Sequence, residues 1–416
     1  MSFPFFKQSS SDPMSAPLDD DDTQAYRTLL ARWLIDLALM FGSKPRWKML
    51  RFLENDEFLT LTGITPLDDD DSNEEESHRH RRAQRSDRFL EVLQHRRAAL
   101  VRTPLDTDLP LARNIGWLAD LLGLNPDDQA VLCFAVLLNG DRLFHRAIAQ
   151  QSYPTSTRML YKLLARLTGQ SPEEFDVALN PTALLPATGL VEVESGCVDL
   201  EDKIRVRRDL PNLLFASHAD AEALIARFLK RSPRRTLTAA NFPHLARDTA
   251  AAVGLLRAAL ANKIAGTNLL LYGPPGVGKT EYAAVLAEAV GAELYEVDYA
   301  DEDGDPIQGE QRLRAFNLGQ RLLARRDDAL LLFDEVEDVF ERDPFDRLFG
   351  GCGDGATAGK AWINRTLENN PVPALWCCKP STARRRCWAR SGRRPAITSR
   401  PATTCAFSTS IRISRS

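Results

Sequence analysis

The run Gly273-Pro274-Pro275-Gly276-Val277-Gly278-Lys279-Thr280 constrains this chain more than any other feature. It has the form G-x-x-x-x-G-K-T and follows the apolar stretch Asn268-Leu269-Leu270-Leu271-Tyr272, which predicts a buried strand. After it, Ala283-Ala284-Val285-Leu286-Ala287-Glu288-Ala289-Val290 predicts a helix that Gly291 ends. Strand, glycine-rich loop and helix in that order point to a parallel α/β sheet. The glycines let successive backbone N–H groups turn inward as an anion-binding nest, and the helix dipole adds positive potential at the same point. All eight residues from Gly273 to Thr280 are therefore candidate nucleotide-binding residues. Lys279 is placed to reach the outer phosphates, and the Thr280 hydroxyl to hold Mg²⁺.

A pair of acids completes the pattern. Glu293-Leu294-Tyr295-Glu296-Val297 predicts a second strand, and a helix follows from about Gly309 to Arg325. Ala329-Leu330-Leu331-Leu332-Phe333 then runs into Asp334-Glu335. An apolar run ending in acids reads as a buried parallel strand whose C-terminal end meets the site. The 55 positions from Lys279 to Asp334 accommodate a βαβαβ path. Asp334 is the candidate Mg²⁺ ligand beside Thr280. Glu335 is the candidate catalytic residue, polarising the water that attacks the γ-phosphate.

Composition excludes several classes. With 416 residues, 44% hydrophobic and 26% charged, the chain reads as a soluble protein of two or three domains. Its apolar runs are too short to span a membrane, and Met1-Ser2-Phe3-Pro4-Phe5-Phe6-Lys7 lacks the features of a signal peptide, so the cytoplasm is the expected location. Seven cysteines do not suggest a disulfide scaffold, and no Cys/His spacing suggests zinc.

Upstream of the loop the chain reads as a mainly helical region over 23–240. Residues 1–22, ending in Asp19-Asp20-Asp21-Asp22, are expected to be disordered, with the acidic run near the start of a helix. Tyr26 to Phe41 predicts an amphipathic helix. Residues 66–88 carry blocks of acids and then Arg and His, and read as a solvated linker. Two periodic segments, Leu111 to Leu122 and Asp127 to Leu138, flank Gly123-Leu124-Asn125-Pro126, with Gly123 as a stop and Asn125 as an N-cap. They read as a helical hairpin, since the acid-rich surroundings oppose a DNA-reading role. Alternation over Val191 to Val206 predicts a small β-wing.

The combination of Gly273–Thr280 with Leu330-Leu331-Leu332-Phe333-Asp334-Glu335-Val336-Glu337-Asp338-Val339-Phe340 resembles the bacterial AAA-type members of the AAA+ ATPase superfamily. Lys360 to Trp376 resembles the helix and fourth strand that follow in that group, so the likeness covers about residues 240–376. It implies an α/β fold: a P-loop NTPase parallel sheet with flanking helices, here an incomplete AAA+ core over 241–376. It also implies ATP and Mg²⁺ as ligands, ATP hydrolysis, ring-shaped homo-oligomers and remodelling of a macromolecular, protein partner; the short apolar runs speak against a membrane partner, and the acid-rich helical region disfavours nucleic acid. Asp305-Pro306-Ile307-Gln308 carries no aromatic residue before Gly309-Glu310, where many unfoldases of that group have one.

The chain changes character at Cys377. Residues 377–416 hold nine Arg and one Lys, no Asp or Glu, and four of the seven cysteines. The stretch reads as a basic, disordered tail translated out of frame, without the sensor, arginine finger and lid of the group it resembles. That predicts ATP binding with little hydrolysis. The alternatives are a nucleotide-binding regulatory module, a P-loop kinase, which the acid pair opposes, and a nucleic-acid binder acting through the basic tail.

Overall fold

A computed structural model describes residues 20–41, 46–65, 78–103, 108–150, 155–233, 237–297, 309–336, 366–379 and 409–413. The chain divides into two units, Met1–Leu224 and Ile225–Ser416.

The first unit is helical. Its first helix, Asp20–Phe41, starts within the acidic run, so Asp20, Asp21 and Asp22 are helical rather than disordered. Acidic sequence favours a helix N-terminus, so a run of Asp is as compatible with a helix start as with coil. The linker expectation is corrected in the same way. The helix His78–Arg102 takes up residues 78–88, drawn back from the buried positions Ser86, Phe89, Leu93 and Leu100. Residues 66–77 lie outside the described residues.

Local signals set the hairpin Pro110–Leu122 and Pro126–Gly140. Gly123 adopts a left-handed φ of 75°, where a side chain would be strained, and ends the first helix. The Asn125 side chain accepts from the Asp128 backbone N–H at 2.8 Å, and the Asp128 carboxylate accepts from the Asn125 backbone N–H at 3.2 Å. At the core Trp33 meets Phe134 edge-on at 5.4 Å, and Phe134 meets Phe144 at 6.2 Å. Burial of each such ring contributes roughly 1.5–3 kcal/mol. Strand β1 (Val191–Val193) pairs antiparallel with β2 (Ile204–Val206) as a two-stranded wing.

Among the described residues the second unit holds a six-stranded sheet. Its strands are β3 (Lys230–Arg231), β4 (Asn268–Tyr272), β5 (Glu293–Glu296), β6 (Ala329–Phe333), β7 (Ala374–Cys378) and β8 (Thr409–Arg412). Their order is β3-β5-β6-β7-β4-β8, parallel except for β3 at one edge. The unit begins at Ile225 rather than near residue 241 because β3 pairs with β5. The interior strands are continuous apolar runs, as burial on both faces of a parallel sheet requires. Leu269, Leu271, Leu330, Leu332, Leu375 and Tyr282 belong to one core cluster. The helices Ala246–Asn262, Lys279–Val290 and Glu310–Leu322 complete the α/β arrangement.

Two expectations for the C-terminal part are corrected. The fourth strand lies at Ala374–Cys378, two residues beyond Val372–Trp376. Pro373, with no N–H to give, precedes it, and Cys377 and Cys378 are buried. Four residues of the expected disordered tail form β8, which pairs parallel with β4 from Leu269↔Thr409 to Tyr272↔Arg412. Main-chain pairing tolerates many sequences, and alternation places Ile411 and Ile413 in the core at 3% and 0% exposure. Residues 380–408 lie outside the described residues. No helix among the described residues is long and apolar enough to cross a membrane.

Candidate functional site

The site forms where β4, β6 and β7 end on the same edge of the sheet. Tyr272 closes β4 and leads into the loop at Gly273. Gly276 and Gly278 take φ of 73° and 85°, the left-handed region open to glycine without strain. The helix Lys279–Val290 then begins with no side-chain cap at Gly278. Its first N–H groups lack intrahelical partners, so the helix offers an anion both donors and dipole.

A cleft of ≈ 490 Å³ gathers Pro275, Gly276, Gly278, Lys279, Thr280, Asp334 and Glu335 from the predicted set. The other three predicted residues serve the loop's shape. Gly273 lies beneath it, with its N–H donating to the Cys378 carbonyl at 3.2 Å, and a Cβ there would overlap the Ile413 carbonyl. The Pro274 carbonyl accepts from Lys279, and Val277 packs against the core cluster.

Lys279 Nζ donates to the carbonyls of Gly273 and Pro274, both at 3.1 Å, so the ammonium is folded over the loop. The Thr280 hydroxyl donates to Asp334 Oδ2 at 2.6 Å, while Asp334 Oδ1 accepts from the Glu335 backbone N–H at 2.8 Å. Two hard oxygens from separate motifs thus lie together, and both are of the donor type that Mg²⁺ takes. Glu335 is exposed and has φ 49°, left-handed for a residue that bears a side chain.

Sequence reasoning missed several residues here. Glu281, Cys377, Cys378 and Lys379 also line the cleft. Strand β7 lies between β6 and β4, so its C-terminal end falls between the loop and the acids. Arg312, buried in the helix Glu310–Leu322, donates to the Asp334 carbonyl at 2.7 Å and the Glu335 carbonyl at 3.2 Å. Nothing in its local sequence marks it.

The chain is similar to known proteins over short stretches. Over 85 residues the chain is 36% identical to the replication factor C large subunit of Picrophilus torridus, covering 20% of this chain and 21% of that protein. It is 34% identical over 93 residues to the Lon protease of Azorhizobium caulinodans, covering 20% of this chain and 11% of the protease. Over 75 residues it is 40% identical to ATPase family gene 2 protein homolog B of Bos taurus, covering 18% of this chain and 10% of that protein. The chain therefore spans about a tenth to a fifth of the length of these relatives. Residues 269–350, which begin in β4 and include both the phosphate-type loop and the acid pair, match the family described as ATPase family associated with various cellular activities (AAA).

Proposed function

We propose that the second unit binds ATP with Mg²⁺ and hydrolyses it to ADP and phosphate. The observation that carries this reading is the convergence of Lys279, Thr280, Asp334 and Glu335 on one cleft at the sheet edge. The loop from Gly273 to Thr280 receives the phosphates through backbone N–H groups, and Lys279 swings from its own loop carbonyls to the outer phosphates. Thr280 and Asp334 hold Mg²⁺, which supplies charge neutralisation at the phosphate oxygens. Glu335, exposed and lining the cleft, accepts the proton of the attacking water. Following the same likeness, the first unit recruits a macromolecular partner, and copies of the chain assemble into rings.

A second reading, a nucleotide-binding module with slow turnover, is favoured by the end of β7. Cys378 and Lys379 stand between the two motifs there, where the resembled group carries a polar sensor, usually Asn. Calorimetric titration of ATP with and without Mg²⁺, combined with single-turnover phosphate release, separates the two. Mg²⁺-dependent binding with phosphate release supports the first reading, and binding alone supports the second. Absence of Mg²⁺-dependent ATP binding would sink both.

A further inference from the structure

Behind the acid pair lies a buried cation. Arg312, in the first turn of the helix Glu310–Leu322, is 1% exposed. Its Nη2 donates to the Asp334 carbonyl at 2.7 Å and its Nη1 to the Glu335 carbonyl at 3.2 Å. Its Cζ stands 4.4 Å from the centroid of the Phe333 ring. One planar guanidinium therefore spans two consecutive carbonyls and rests on the side chain of the residue before them. A cation on an aromatic face is attracted by the ring quadrupole, which fixes the plane of the fork.

That turn carries an unusual backbone. Glu335 has φ 49°, a region sparsely populated by side-chain-bearing residues, and such a conformation persists only where its surroundings over-determine it. Three contacts do so here. Arg312 holds both carbonyls, Asp334 Oδ1 accepts from the Glu335 N–H at 2.8 Å, and the Val336 N–H donates to the Cys377 carbonyl at 3.1 Å. Of the three, only the Arg312 fork reaches both acids from another element. The Glu335 backbone is fixed while its carboxylate stays exposed.

We propose that Arg312 is a positioning residue for hydrolysis. By clamping the carbonyls of Asp334 and Glu335 it holds the left-handed turn that presents the Glu335 carboxylate to the cleft. The inference rests on the hydrolytic reading above. Lysine cannot replace the fork, because an ammonium is a point donor without a plane.

The test uses the full chain in three forms: wild type, Arg312→Lys and Arg312→Gln. Single-turnover phosphate release and ATP affinity are measured separately, with thermal unfolding as the check on folding. The expected result is ATP affinity within about threefold of wild type and a hydrolysis rate lower by on the order of 10²-fold, the scale set by misplacing a reacting group by about 1 Å. In a Glu335→Gln background, Arg312→Lys should change the rate by less than about twofold, since both residues act through one carboxylate. A purely structural arginine would lower affinity and rate together and add its loss to that of Glu335→Gln. Folded variants with wild-type turnover overturn this inference alone. So does unfolding of both variants, because the fork would then be a requirement of the fold. A wild-type chain that binds ATP but releases no phosphate overturns the hydrolytic reading and this inference together.

Discussion

The Thr280 hydroxyl reaches the Asp334 carboxylate at 2.6 Å although 54 positions separate the two residues. Thr280 opens a helix and Asp334 follows a strand, so only the parallel arrangement of β4 and β6 around β7 brings them together. Thr280→Val keeps the volume and removes the oxygen. Hydrogen bonds to charged groups contribute about 1.5–3 kcal/mol, so ATP affinity in the presence of Mg²⁺ should fall roughly 10- to 100-fold. Affinity in the presence of a chelator should hardly change. An equal loss under both conditions, measured by titration calorimetry, would place Thr280 outside the metal site.

Glu335→Gln separates binding from chemistry. The amide has nearly the same shape but cannot accept the proton of water. General-base assistance contributes about 10²–10⁴-fold, and the variant should lose that much in single-turnover phosphate release while keeping its ATP affinity. Undiminished release would move the base elsewhere in the cleft.

Asn268 anchors the start of β4. Its amide donates to the Leu367 carbonyl at 2.6 Å and to Asn370 Oδ1 at 3.1 Å, and its oxygen accepts from Trp376 Nε1 at 3.0 Å. All of this is buried, so Asn268→Leu strands several polar groups without water to replace the lost partner. With about 1–3 kcal/mol for each stranded group, the second unit should lose about 2–4 kcal/mol in chemical denaturation. A loss below about 0.5 kcal/mol, the range of neutral surface changes, would show that the network relaxes freely.

Tyr295 gives the second unit an alkaline limit. Burial, and then its hydrogen bond to Glu293, push its phenol from the ordinary 10.0 up to about 12. The folded state thus keeps a proton that the unfolded chain gives up. This contribution to stability is complete below pH 10.0 and is lost as pH rises through about 12. Tyr295→Phe should flatten the fall in stability across that window, followed by denaturation at stepped pH. Burial also raises the Tyr282 phenol, so the slope should shrink without vanishing. Identical slopes in variant and wild type would contradict the assignment.

The parts of the fold that were legible in the sequence are those encoded by neighbours in the chain. Gly273–Thr280 follows an apolar strand and opens a helix, so its loop conformation is written locally. Asn125 and Asp128 sit three residues apart, which is the spacing a capping box needs. The start of His78–Arg102 is hidden because charge blocks suggest solvated coil, whereas distant buried positions decide it. Strand β8 was hidden because two buried isoleucines in a basic, acid-free stretch give no run long enough to detect. Arg312 was hidden for another reason. Its partners are main-chain carbonyls 22 and 23 positions away, and no side-chain pattern records such a contact.

The order in which the chain is synthesised differs from the order in which its sheet is assembled. Strand β4, from which the phosphate-type loop springs, is flanked by β7 and β8. Asn268 bonds Trp376 across 108 positions. During synthesis β4 therefore emerges well before either neighbour, with its Leu-rich edges unpaired. Long-range pairings of this kind close slowly and leave apolar edges open to the wrong partner in the meantime. The cleft is in that sense a late product of translation. Nascent chains halted before β7 should expose β4 to chaperones, and a competent cleft should first appear once residues 374–412 have left the ribosome.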